Sequence, residues 1–192
     1  MRKWFAYGGI AASVVLVAFG AGAIAIGASG YNEVRDDIAA QKITATPDAK
    51  ELSGGKLTPG QRINTGADAK AFAEVMQHHA LAATDGKVYA EMGRFLTPGG
   101  KDTDDEALAA KTPEGQPVEN GARNLWVTET ALTTALNTSF FAERVAWFSI
   151  AMGAALLLTG IGFLVLTLGG ALGVVTLPTR RAKLDTASAA TV

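Results

Sequence analysis

Residues 145–170 read VAWFSIAMGAALLLTGIGFLVLTLGG, and they lie in a run of 35 residues between Arg144 and Arg180 without one Asp, Glu, Lys or Arg. A helix needs only about 20 apolar residues to cross the hydrocarbon core of a bilayer. A charge at mid-membrane costs roughly 2.5–3.5 kcal/mol on insertion scales. A charge-free stretch of this length and composition therefore predicts a transmembrane helix at 145–170. The same test finds a second stretch, the 29 residues between Lys3 and Glu33. Its apolar run from Phe5 to Ala28 is longer than the roughly 7–15 residues of a signal-peptide core. Residues 4–29 are thus expected to be an uncleaved first span, despite the small residues Ala23, Ala25 and Ala28 near its end.

Orientation follows from the flanking charge. Arg2 and Lys3 precede the first stretch, and Arg180, Arg181 and Lys183 follow the second. Residues 30–144 hold 12 Lys+Arg against 17 Asp+Glu, a net charge of −5 hidden inside an overall −1. Short basic flanks stay in the cytoplasm, whereas long segments cross largely regardless of charge. The expected arrangement is a cytoplasmic N-terminus at 1–3, an extracytoplasmic helical segment at 30–144 and a cytoplasmic tail at 171–192. Both termini then lie inside a bacterial plasma membrane. The fold class is mainly α: a two-helix transmembrane hairpin with a small helical extracytoplasmic segment and Gly/Pro-rich linkers. The charge balance gives no sign of nucleic-acid binding.

There is no cysteine, which removes disulfides, thiolate metal sites and cysteine nucleophiles together. Trp4, Phe5 and Tyr7 suit an inner aromatic belt, and Tyr31 marks the outer end of the first span. Val34 and Ile38 continue the helical spacing, so the first helix is expected to run on to about Ile43. Residues 47–66, with Pro47, Gly54, Gly55, Pro59, Gly60 and Gly66, read as a linker. Asp68 can cap the next helix, whose apolar face is Phe72, Val75, Met76, His79 and either Leu81 or Ala83. Gly86 suits a stop, and Val88, Tyr89, Met92 and Phe95 predict another helical turn or two. Residues 97–121 read as loop, with a short helix around 104–111. From Ala122 the stripe Leu125, Leu132, Leu136 and Phe140 predicts one helix running to about Leu168.

Candidate chemistry is sparse. His78 and His79 are the only histidines, and neighbours on a helix point about 100° apart, so the two cannot chelate one metal. Asp102, Asp104, Asp105 and Glu106 form an acidic cluster. A helix–loop–helix calcium site would need a Gly at the sixth position and a Glu at the twelfth. Counted from Asp102, those positions hold Ala107 and Pro113, so the cluster reads as a solvated loop. Glu91, Glu129 and Glu143 have the chemistry for acid–base work but no partner visible in the sequence. No metal or other cofactor is expected, and no catalytic residue.

The apolar stretches hold small residues at coiled-coil spacing. Gly9, Ser13, Gly20, Ala23 and Gly27 recur on the first. Ala146, Ser149, Gly153, Gly160, Thr167 and Gly170 recur on the second. Small stripes let helix backbones approach closely, which is how helices associate in lipid. Gly9, Ser13, Gly20, Ala23, Gly27, Ser149, Gly153 and Gly160 are the expected helix-packing residues, the two spans pairing in one hairpin.

Three stretches carry a family resemblance: residues 2–9 (RKWFAYGG), 122–132 (ARNLWVTETAL) and 156–163 (LLLTGIGF). Together they resemble a family of uncharacterised actinobacterial two-span membrane proteins, over most of residues 1–168. Members often carry the label of an aromatic ring-opening dioxygenase. Extradiol chemistry of that kind would need iron on two His and a carboxylate. The resemblance implies the two-span topology and supplies no catalytic residue to carry over. The expected function is a non-enzymatic interaction or scaffold element of the bacterial cell envelope. The expected partners are the lipid bilayer and either an envelope protein or a second copy of the chain. The alternative is an extracytoplasmic module that senses a ligand or stress and signals through a partner.

Overall fold

The computed structural model describes residues 2–169. The structure is mainly helical, with α1 (Arg2–Ala40), α2 (Ala49–Leu52), α3 (Gly66–Ala83) and α4 (Gly121–Leu168), and one small hairpin of β1 (Phe95–Leu96) and β2 (Asp102–Thr103). Two helices are long and apolar enough to cross a membrane, α1 over Tyr7–Ala40 and α4 over Gly121–Leu168. The chain divides into two compact units, residues 1–25 with 151–192, and residues 26–150.

In the first unit α1 and α4 run antiparallel with small residues between them. A Cβ on Gly9 would meet the Thr167 hydroxyl at 2.8 Å, and one on Gly160 would meet the Val17 backbone nitrogen at 2.9 Å. Val17, Ile24 and Leu157 pack beside the glycines of this seam, while other large side chains point away from it. Val14, Phe19, Leu158 and Val165 are all more than half exposed. Three hydroxyls of this unit bond back to their own helix: Ser13 donates to the Gly9 carbonyl, Thr159 to the Ala155 carbonyl and Thr167 to the Phe163 carbonyl, each at 2.7 Å. Such back-bonding leaves no hydroxyl proton without an acceptor.

The second unit has a packed core. Ile38 from α1, Phe72 and Val75 from α3, Leu136 from α4, and Leu57 and Ile63 from the α2–α3 connection are all buried in one cluster. The linker reading of 47–66 therefore needs correction. An antiparallel bridge at Thr44 and Arg62 closes this segment into a compact loop, with the Ile63 amide donating to the Ile43 carbonyl at 3.0 Å. Glycine supplies the turns there (Gly55 has φ +83°), while apolar residues spaced between the turns carry the packing. The same bridge explains why α1 stops at Ala40 rather than near Ile43: Lys42 turns left-handed (φ +55°) and sends Ile43 into the ladder.

Local capping differs in detail from the sequence expectation. Thr65 is the N-cap of α3, its side chain accepting from the Asp68 amide at 3.0 Å, so Asp68 sits one turn inside. Gly86 follows the end of α3 with φ +78°, its amide bonded to the Leu81 carbonyl at 2.8 Å. Residues 88–95 form one helical turn, the lesser of the one or two expected. A single 3-10 turn at Tyr89–Glu91 leads into β1, and the helix expected around 104–111 is reduced to a 3-10 turn at Glu106–Leu108. β1 pairs antiparallel with β2, Phe95 opposite Thr103, and the Leu96 amide also reaches the Val118 carbonyl at 3.0 Å. Asn120 joins this hairpin to α4. Its side chain donates to the Gly93 carbonyl at 2.9 Å and accepts from the Ala122 amide at 3.1 Å.

Candidate functional site

The small residues singled out on the two apolar helices lie as follows. Ser13, Gly20 and Gly27 on α1, and Ala146, Gly153, Gly160 and Thr167 on α4, are buried and recur every seven residues. Ala23 and Ser149 are only half-buried. In the first unit Gly20 and Gly153 face each other. A Cβ on either would lie 2.7 Å from the other's carbonyl oxygen. In the second unit a Cβ on Gly27 would lie 2.8 Å from the Ala146 carbonyl oxygen. A side chain at any of these positions would force backbone against backbone. Gly170 and the residues after it lie outside the described residues, including the basic cluster Arg180, Arg181 and Lys183.

Several titratable residues of the second unit are paired, many others are simply exposed, and one buried carboxyl stands apart. His79 Nε2 lies 2.7 Å from Asp48 Oδ2, so His79 sits at a half-exposed edge rather than within the packed face, and His78 is exposed beside it. The acidic cluster, read as merely solvated, ties the hairpin together. Asp102 accepts from the Gly93 amide at 2.8 Å and pairs with Lys87 Nζ at 3.1 Å. That amide, with Lys87 second, holds the Asp102 carboxyl below its ordinary pKa. Asp104 accepts from the Arg94 amide at 3.1 Å and lies 3.5 Å from Arg123. Arg123 also stacks 4.1 Å above the Tyr89 ring and donates to the Met92 carbonyl at 3.2 Å. Among the described residues no three His, Cys, Asp or Glu side chains gather closely enough to hold a metal ion.

The three glutamates without a visible partner in the sequence separate clearly. Glu91 accepts from the Val88 amide at 2.9 Å, and Glu143 accepts from the Gly66 amide at the start of α3. Glu129 is different. It is 7% exposed, and its Oε1 meets no hydrogen-bond donor among the described residues. Burial pushes its pKa above the ordinary carboxyl value, partly opposed by the Thr133 hydroxyl.

Glu129 lies at the floor of an open cleft of about 250 Å³ between α3 and α4, with Met76, His79, Ala80 and the exposed Ala83 on one wall and Leu125 and Thr128, both exposed, with Leu132 on the other. A second cavity of about 400 Å³ lies beside it, lined by Lys87, Met92, Asp102 and Asn120 among others. There Asp102 and Asn120 already have backbone partners. The cavity at Glu129 thus combines apolar walls with a buried acceptor that lacks one. Sequence reasoning placed Glu129 among three equals: the Gly66 amide that satisfies Glu143 is 77 residues away and only the fold brings it near, while the local contact of Glu91 with the Val88 amide went unread.

Comparison with protein-family models, with curated proteins and with solved structures finds no match.

Proposed function

We propose that this chain is a two-span membrane protein, a non-enzymatic interaction or scaffold element of the bacterial cell envelope. In this reading residues 30–144 lie outside the cytoplasm and both termini inside. One observation supports it above the others. Of the most apolar 18 residues of α1 and α4, only 11% and 17% are buried. The core helix of a water-soluble fold would be mostly covered by its own chain. Apolar faces of this extent need cover from lipid or from another protein. The second unit, with its own core and a surface rich in charge, is the part that would meet a partner.

The test is purification of the intact protein from native membranes in mild detergent. A second protein at fixed stoichiometry, or a defined homo-oligomer, is the expected result. A monodisperse monomer without companions would remove the scaffold reading. The sensing alternative has one observation in its favour: the Glu129 cavity is built partly on α4, the helix that also carries the second apolar stretch.

A further inference from the structure

We infer that the cavity between α3 and α4 is a binding site for a small amphipathic molecule, an apolar body bearing one hydrogen-bond donor that is received by the Glu129 carboxyl. The inference rests on the cavity alone, not on the scaffold reading or the membrane topology.

A buried acceptor left without a donor is costly, and native folds nearly always supply one. Here the wall opposite Glu129 is Met76, Ala80 and Ala83, whose side chains have no proton to give, and His79 is engaged with Asp48. The Thr128 and Thr133 hydroxyls donate to the Asn124 and Thr130 carbonyls, so a donor for Glu129 Oε1 is left to an occupant, either water or a ligand that displaces it. Apolar walls select the rest of that occupant, since ligand sites commonly combine an apolar lining with a few placed polar groups. Size narrows the class further. About 250 Å³ is the volume of about eight liquid waters at ~30 Å³ each, which suits a small cyclic or branched alcohol or amine. An alcohol and an amine share the donor chemistry and differ in charge. The amine would pair with an ionised Glu129, whereas the alcohol can bond to either form.

The experiment uses the full chain in lipid nanodiscs with its methionine methyl groups labelled with carbon-13. The chain has four methionines. Met76 lines the cavity and Met152 lies on the apolar part of α4. Cyclohexanol, cyclohexylamine and methylcyclohexane are titrated separately. The expected result is a saturable shift of the Met76 methyl resonance with cyclohexanol, cyclohexylamine or both. Methylcyclohexane, the same shape without a donor, should bind about tenfold more weakly, the worth of one good hydrogen bond. Glu129→Leu should abolish the preference. Ala83→Leu, which fills the cavity from the opposite helix and leaves the carboxyl in place, should abolish the shift. Response to the amine alone would mark Glu129 as ionised in the complex; response to both would mark simple hydrogen bonding. Equal binding of methylcyclohexane, or a Met76 shift no larger than that of Met152, overturns the inference.

Discussion

Glu129 is a buried carboxyl with one oxygen left without a donor among the described residues. Leaving a buried polar group unsatisfied costs about 1–3 kcal/mol, and more when the group is charged. Because burial raises its pKa in the folded state, the folded chain holds this proton more tightly than the unfolded chain does. Its contribution therefore favours the fold in acid and is lost as pH rises through the folded pKa. Asp102 runs the other way. Its lowered pKa supports the fold above the unfolded aspartate value, about 3.9, and that support fades as pH falls. Comparing wild type with Glu129→Gln isolates the first effect. The variant should gain in melting temperature relative to wild type as pH rises from about 4 to about 8, with the smallest gap at the acid end. A gap that stays flat across this range would mean that Glu129 ionises as freely folded as unfolded.

Between α1 and α4 in the first unit, geometry separates glycines that serve packing from glycines that are incidental. Gly20 and Gly153 have no room for a Cβ, whereas one on Gly22 or Gly162 would meet nothing within 4 Å. Alanine exceeds glycine in helix propensity by about 1 kcal/mol. Gly22→Ala and Gly162→Ala should therefore be neutral or mildly stabilising in detergent unfolding. Gly20→Ala and Gly153→Ala should destabilise, because the gain in propensity cannot offset two backbones forced apart. Equal effects at all four sites would make the seam an accident of composition. The seven-residue recurrence of Ser13, Gly20 and Gly27 was legible in the sequence because helix periodicity is local. So was most of α4, which begins at Gly121, within one residue of the expected start. The loop closed by Thr44 and Arg62 and the β1–β2 hairpin were not legible. Their glycines and prolines signal turns in either case, and what makes those turns compact is pairing with partners distant in sequence. Asp102 and Asp104 were misread for the same reason, since the Gly93 and Arg94 amides they accept from lie just before β1, across the hairpin.

At the scale of the whole chain, the charge distribution and the two apolar helices lead to one arrangement that can be tested directly. Arg2 and Lys3 precede one apolar stretch, three basic residues follow the other, and the 115 residues at 30–144 carry net −5. Positive flanks near short tails set orientation more strongly than the charge of a long translocated segment. With no native cysteine, single substitutions report without background. Lys101 lies in the turn between β1 and β2, with its side chain exposed. Lys101→Cys should react with a membrane-impermeant maleimide in intact cells, and Lys183→Cys only after lysis. The reverse pattern would invert the topology while leaving both helices in the membrane. Labelling of both sites in intact cells would mean that one apolar helix does not cross. The mass of the purified chain closes the remaining gap. Gly20 and Gly27 on α1 sit against α4 in their respective units, and the expected result is a chain that retains residues 4–29. A mature chain cut after Ala23, Ala25 or Ala28 would lose that seam, and Lys183→Cys would then have to be read against a single crossing.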